Sequence, residues 1–218
     1  MKYPSTLLLG AALALAGACT STLDDSPGAA TDAGGAAASD DGGWARVRIN
    51  GQVRRVRYQE VDGQAIWDGD IGLGPVAQFT RHAGATIDLG ERWTNGVVRF
   101  NIDSSVSSAN RTRILAVHAE YQRLTPVRFT DVTSDPSGNY VTYYEIEGGG
   151  GALAFGVGMQ GGEQEVELHG DVGTSVIRHE LGHVLGFFHE HKRPDTSLWV
   201  DREWACIADS QEDQFEEQ

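Results

Sequence analysis

Apolar and polar positions alternate most regularly in Val97-Val98-Arg99-Phe100-Asn101-Ile102, a period of two that predicts a half-buried strand. Arg46-Val47-Arg48-Ile49 and Val53-Arg54-Arg55-Val56 alternate in much the same way around Asn50-Gly51, a dipeptide suited to a tight hairpin turn. Residues 127–131, 140–146, 153–157 and 166–168 read as further strands, with a glycine-rich turn at 148–151. From Ser107 to Gln122 the period lengthens, and Ile114, Val117 and Tyr121 recur at helical spacing with one face turned to a core. Another helix is expected after Val172-Gly173, capped by Thr174 or Ser175. The 218 residues suffice for one ordinary domain with additions.

The N-terminus breaks this texture. Lys2 precedes the apolar run Leu7 to Ala16, too short to span a bilayer permanently, and Ala16-Gly17-Ala18 is a small-residue cleavage site. Residues 1–18 therefore read as an export signal. With Cys19 they also look like a bacterial lipobox, although Ala16 stands where leucine is preferred. The expectation is a lipoprotein at a bacterial outer membrane or cell surface, anchored through Cys19; the alternative is a secreted protein. A lipidated Cys19 leaves Cys206 no partner within the chain. Residues 19–43, rich in Ala, Gly, Asp and Ser, read as a flexible linker. A formal net charge of −14 argues against nucleic acid as a partner, which would need clustered cations. Membrane contact is expected through the lipid anchor alone, and the chain is expected to be a monomer. The hairpin arginines read most simply as the solvated face of a small sheet.

The chemistry lies in His179-Glu180-Leu181-Gly182-His183-Val184-Leu185-Gly186-Phe187-Phe188-His189-Glu190. On a helix His179 and His183 project from one face a turn apart, so both imidazoles can bind one zinc ion. Gly186 lets the chain leave the helix in a left-handed conformation, and His189 can then return as a third ligand. Three protein ligands leave a position open for water, the mark of a catalytic site. Glu180 is placed to act as general base on that water. One Zn2+ per chain is expected. His191 is expected to face solvent, and His82, His118 and His169 to be surface or internally satisfied residues.

The continuation Glu190 and Arg193-Pro194-Asp195 resembles the astacin branch of the metzincin zinc peptidases. So do Gly90-Glu91-Arg92-Trp93-Thr94-Asn95-Gly96, Thr125-Pro126-Val127-Arg128-Phe129 and Gly161-Gly162-Glu163-Gln164 upstream. The resemblance implies an α+β fold: a twisted, mostly parallel sheet with an antiparallel edge strand near 153–157, over which the active-site helix runs. That edge strand would pair with extended polypeptide substrates. Glu190 would contact the mature N-terminus. Trp67-Asp68-Gly69-Asp70 resembles the family's propeptide motif, which makes Asp70 an inhibitory zinc ligand and 44–90 a pro-segment before a catalytic domain over 91–218. Arg81 and Arg92 are candidate activation sites. Thr196 replaces the arginine usual after Arg-Pro-Asp, and the family's paired cysteines are absent, with Pro126 and Ala152 near two of their positions. No methionine or tyrosine follows the third histidine, so the methionine turn is absent and the expectation is a C-terminally truncated chain with its lower subdomain largely missing. The leading reading is a zinc endopeptidase precursor; the alternative is a non-catalytic zinc-binding surface protein or an inactive fragment.

Overall fold

The computed structural model describes residues 42–81 and 86–207, together with 212 and 215. The export signal, Cys19, most of the linker and His82 lie outside these residues. The described residues fall into two compact units that part between Phe188 and His189.

In the first unit the strands are β1 (Gly42–Ile49), β2 (Gln52–Val61), β3 (Gln64–Trp67), β4 (Ile71–Pro75), β5 (Thr86–Leu89), β6 (Val97–Ile102), β7 (Arg128–Asp131), β8 (Tyr140–Ile146), β9 (Ala152–Phe155) and β10 (Glu163–His169). The helices are α1 (Val76–Arg81), α2 (Ser108–Leu124) and α3 (Thr174–Leu185). The fold is α+β. All ten strands join one sheet in the order β5-β1-β2-β3-β4-β9-β10-β8-β6-β7.

Strands β10, β8, β6 and β7 are parallel neighbours, and β9 runs antiparallel to β10. Their alternation is what places the core. Val98, Phe100 and Ile102 of β6 are buried, as are Gln164, Val166 and Leu168 of β10. Helix α2 starts at Ser107, whose hydroxyl accepts from the Asn110 N–H, and it buries Asn110, Ile114, Val117 and His118. Asn110 is fully enclosed and fully used: its amide donates to Glu145 and to the Gly170 carbonyl, and its oxygen accepts from the Val172 N–H. That side chain fixes α2 against the loop leading into α3.

Four features differ from the sequence reading. The strand near 153–157 is not an edge, because β4 pairs with it in parallel on the side away from β10. Its backbone donors are met there: the Ala154 N–H donates to the Asp70 carbonyl at 3.2 Å and the Gly156 N–H to the Gly72 carbonyl at 2.8 Å. Gly42 and Gly43 belong to β1 rather than to a linker; a side chain on either would collide with Tyr58 across the hairpin, so these glycines serve a close approach. The cap of α3 is Gly173, with no side-chain cap bond, in place of Thr174 or Ser175. His118 is neither at the surface nor fully satisfied, since its ring stacks on Phe129 and Nε2 meets the Tyr143 hydroxyl at 2.9 Å while Nδ1 has no hydrogen-bond partner among the described residues.

Residues 44–90 build an antiparallel meander from β1 to β4, with β5 parallel to β1. Three of its turns have positive φ at both central residues, at Asn50-Gly51, Asp62-Gly63 and Asp68-Gly69. Such backbone matches the twist of the flanking strands and favours Asn-Gly and Asp-Gly. The second unit begins with three 3₁₀ turns, Glu190–Lys192, Thr196–Leu198 and Trp204–Cys206. The Thr196 hydroxyl donates to the Glu190 carbonyl at 2.9 Å, joining the first two. Cys206 is disulfide-bonded; the other cysteine of the sequence, Cys19, lies outside the described residues.

Candidate metal centre

Helix α3 buries Ile177, Leu181 and Val184, and this apolar stripe sets its rotation over the sheet. The Val184 carbonyl accepts from the Trp93 indole N–H at 2.7 Å, and the His183 carbonyl from the Gly158 N–H at 2.8 Å. Both bonds use carbonyls near the helix end, which lack partners in the next turn. With the rotation fixed, His179 and His183 present their rings 4.7 Å apart, edge to face, with their Nε2 atoms 3.1 Å apart. His183 Nδ1 donates to the Phe187 carbonyl at 2.8 Å. That bond holds the tautomer in which Nε2 is the ligand atom.

The helix ends at Gly186, with φ 105° and ψ 12°, where its N–H reaches the Gly182 and His183 carbonyls. A side chain here would be strained, so glycine is what lets Phe187 and Phe188 turn away from the helix axis. Phe188 packs on Trp67, ring centroids 6.1 Å apart, while Phe187 is exposed.

The Asp68-Gly69 turn delivers Asp70 to the same place. Its Oδ2 lies 3.0 Å from His179 Nε2 and its Oδ1 3.4 Å from His183 Nε2. Among the described residues, Asp70, His179, His183 and His189 form one group able to hold a metal ion, with one ligand atom from each and all within 4.8 Å of one another. Three imidazole nitrogens and a carboxylate oxygen fit zinc in number and kind. Glu180 is 2% exposed, one residue from the first of these histidines.

The remaining candidates sit elsewhere. Glu190 is exposed and paired with Arg193 at 2.9 Å; Arg193 also grips Asp195 through two bonds of 3.0 and 2.9 Å. Arg193-Pro194-Asp195 is thus a local clasp on Glu190. His191 is half-buried, where solvent was expected, with its ring 5.3 Å from that of His189 and 5.4 Å from that of Phe215. Arg92 is exposed, and residues 82–85, after Arg81, lie outside the described residues. Sequence reasoning missed the parts of Trp93, Gly158 and the Phe187 carbonyl in holding the helix and its ligands. Only Trp93 carried a signal, as a large apolar residue beside the glycines that open the catalytic region.

The family model Astacin (Peptidase family M12A) matches residues 85–218. Zinc metalloproteinase nas-4 of Caenorhabditis elegans is 33% identical over 155 residues, covering 68% of this chain and 48% of that protein. Zinc metalloproteinase nas-8 of Steinernema carpocapsae is 31% identical over 157 residues, covering 72% and 35%. A solved structure of high choriolytic enzyme 1, a hatching enzyme zinc-protease from Oryzias latipes, is 25% identical, covers 60% of this chain and 64% of that one, and has a TM-score of 0.48. The chain spans about half or less of the length of these curated relatives. With the family model matching well over half of its residues, the chain belongs to the astacin family of zinc peptidases.

Proposed function

We propose that this chain is the precursor of a zinc-dependent endopeptidase, held inactive by Asp70. The observation that carries the reading is the Asp70 carboxylate set against both helix histidines. His179, His183 and His189 would hold the zinc in this reading, with Asp70 as a further, inhibitory ligand. The chemistry supplied by bound zinc is Lewis acidity, which polarises a peptide carbonyl and lowers the pKa of water. Glu180, buried beside His179, takes a proton from the attacking water at its carboxylate and passes one to the leaving amine. His183, oriented by the Phe187 carbonyl, keeps its ring fixed through these steps. Glu190 exchanges Arg193 for the new N-terminus after cleavage at Arg81 or Arg92.

Substrates are extended polypeptides laid along β9 once β4 has left it, which exposes the Ala154 and Gly156 donors. The chain acts as an exported monomer, directed by residues 1–18. Lipidation of Cys19 would leave its sulfur unable to form a disulfide, since one sulfur atom cannot serve both.

A second reading follows from the same geometry. Four protein donors make a closed site, which is the pattern of structural zinc. Trimming the purified chain to remove residues before 91, then assaying casein cleavage with and without a chelator, separates the two. Chelator-sensitive cleavage supports the peptidase; zinc bound by the trimmed chain without cleavage supports a non-catalytic zinc-binding protein.

A further inference from the structure

The β1–β2 hairpin carries five of the chain's 17 basic residues between positions 46 and 57, and no acidic one, in a chain of net charge −14. Its register sorts them. Trp44 faces Arg57, Arg46 faces Arg55 and Arg48 faces Val53 across the two strands. All six side chains are on one face and exposed, whereas Ala45 and Val47, between them on β1, are buried on the other. Like charges directly opposite on an antiparallel pair destabilise it, so the Arg46–Arg55 pair works against the hairpin that bears it. An ordinary solvated face would carry both signs evenly; among the described residues this face meets Asp88 of β5, ion-paired with Arg48.

The apolar members of the face are as informative. Trp44 is 58% exposed and Val53 44%, and the Arg55 guanidinium lies 4.7 Å from the centre of the Trp44 ring. An exposed tryptophan among arginines is the composition of a surface that meets lipid headgroups, where indole seats at the interface and guanidinium pairs with phosphate. The cations are spread along a two-stranded ribbon rather than converging on a point. Arg46 and Arg48 are about 7 Å apart along β1, and Arg46 and Arg55 about 5 Å apart across the ribbon. That is an array for a plane of anions. The hairpin is also the first element after the linker that leads back to the export signal.

We propose that this face is a docking surface for a membrane rich in anionic phospholipid, so that the meander itself, and not only an N-terminal anchor, attaches the precursor to the cell envelope. The proposal does not depend on proteolysis or on lipidation of Cys19.

The test is co-sedimentation of the exported chain, carrying Cys19→Ser so that no acyl chain contributes, with phosphatidylcholine vesicles containing or lacking phosphatidylglycerol. Binding is expected only to the anionic vesicles, with release near 0.5 M salt. Arg46→Glu with Arg55→Glu is expected to lower the partition constant about tenfold or more, and Trp44→Ala to lower it as well. Arg123→Glu, on the exposed face of α2, is expected to leave binding within about twofold. If circular dichroism shows the double variant unfolded, Arg46→Gln with Arg55→Gln replaces it. Equal binding to both vesicle types, or unchanged binding by a folded double variant, overturns the proposal.

Discussion

Asp70 Oδ2 lies 3.0 Å from His179 Nε2, although 109 positions separate the two residues. No local pattern brings them together; the Asp68-Gly69 turn and the β4–β9 pairing do. A charge-assisted contact of this kind is worth about 1.5–3 kcal/mol. Losing it should open the site about 10- to 100-fold more often. Asp70→Ala is expected to raise casein cleavage by the untrimmed chain by that factor, and unchanged latency would remove Asp70 from the inhibitory role.

Glu180→Gln keeps the shape of the buried side chain and removes its basicity. Metal content is expected to match the parent chain, while peptide cleavage by the trimmed protein falls about 10²- to 10⁴-fold. Zinc measured by atomic absorption, beside turnover of the same samples, checks both halves. Undiminished turnover assigns the base elsewhere.

Gly158 has φ +74°, and a β-carbon there would meet the Glu91 carbonyl oxygen at 2.3 Å. It also donates to the His183 carbonyl. Gly158→Ala is expected to cost about 1–3 kcal/mol from backbone strain alone, lowering the melting temperature. Zinc affinity should fall with it, because the same residue braces the end of the ligand helix.

Burial pushes the His118 imidazole down to about 3, against a smaller upward pull from Asp131. The folded protein thus keeps it neutral while the unfolded chain takes a proton below about 6.5. Stability is therefore lost as pH falls from about 6.5 towards about 3, by about 1.4 kcal/mol per unit. Between pH 7 and 5, His118→Gln is expected to lose about 2 kcal/mol less than the parent in urea unfolding. Glu167, raised to about 7 by burial and then by Glu165 and Asp62, works in the opposite sense, and it cancels because both proteins carry it.

The disulfide at Cys206 makes the cysteines a direct test of processing. Alkylation of the unreduced, exported chain is expected to leave Cys206 unlabelled, and reduction to expose it. One labelled thiol before reduction would mean that Cys206 is unpaired, leaving Cys19 available for a lipid.

Much of the centre was legible because helices and turns are written locally. The four-residue spacing of His179 and His183 needs nothing beyond helical geometry, and Gly186 takes the left-handed conformation that its place predicts. Ser107 caps α2 as its type suggests. What was illegible depended on partners distant in sequence. Strands β3 and β4 are too short for alternation to show, although Asp62-Gly63 and Asp68-Gly69 marked their turns. Whether β9 lies at an edge depends on what docks beside it, which its own residues do not encode. His118 reads as polar, yet a neutral imidazole stacks 4.0 Å from Phe129 much as another ring would.

Under the proposed activation, the parallel register of Ile71 and Gly72 on Ala154 and Phe155 would add a second stage. The proposed cut after Arg81 or Arg92 would sever a covalent tether but leave that strand seated, then as a separate molecule. Its hold then depends on how much of it is present, where before the local concentration was fixed by the chain. A crowded compartment would keep the cut protein silent, and dilution into open fluid would start it, with no further chemical event.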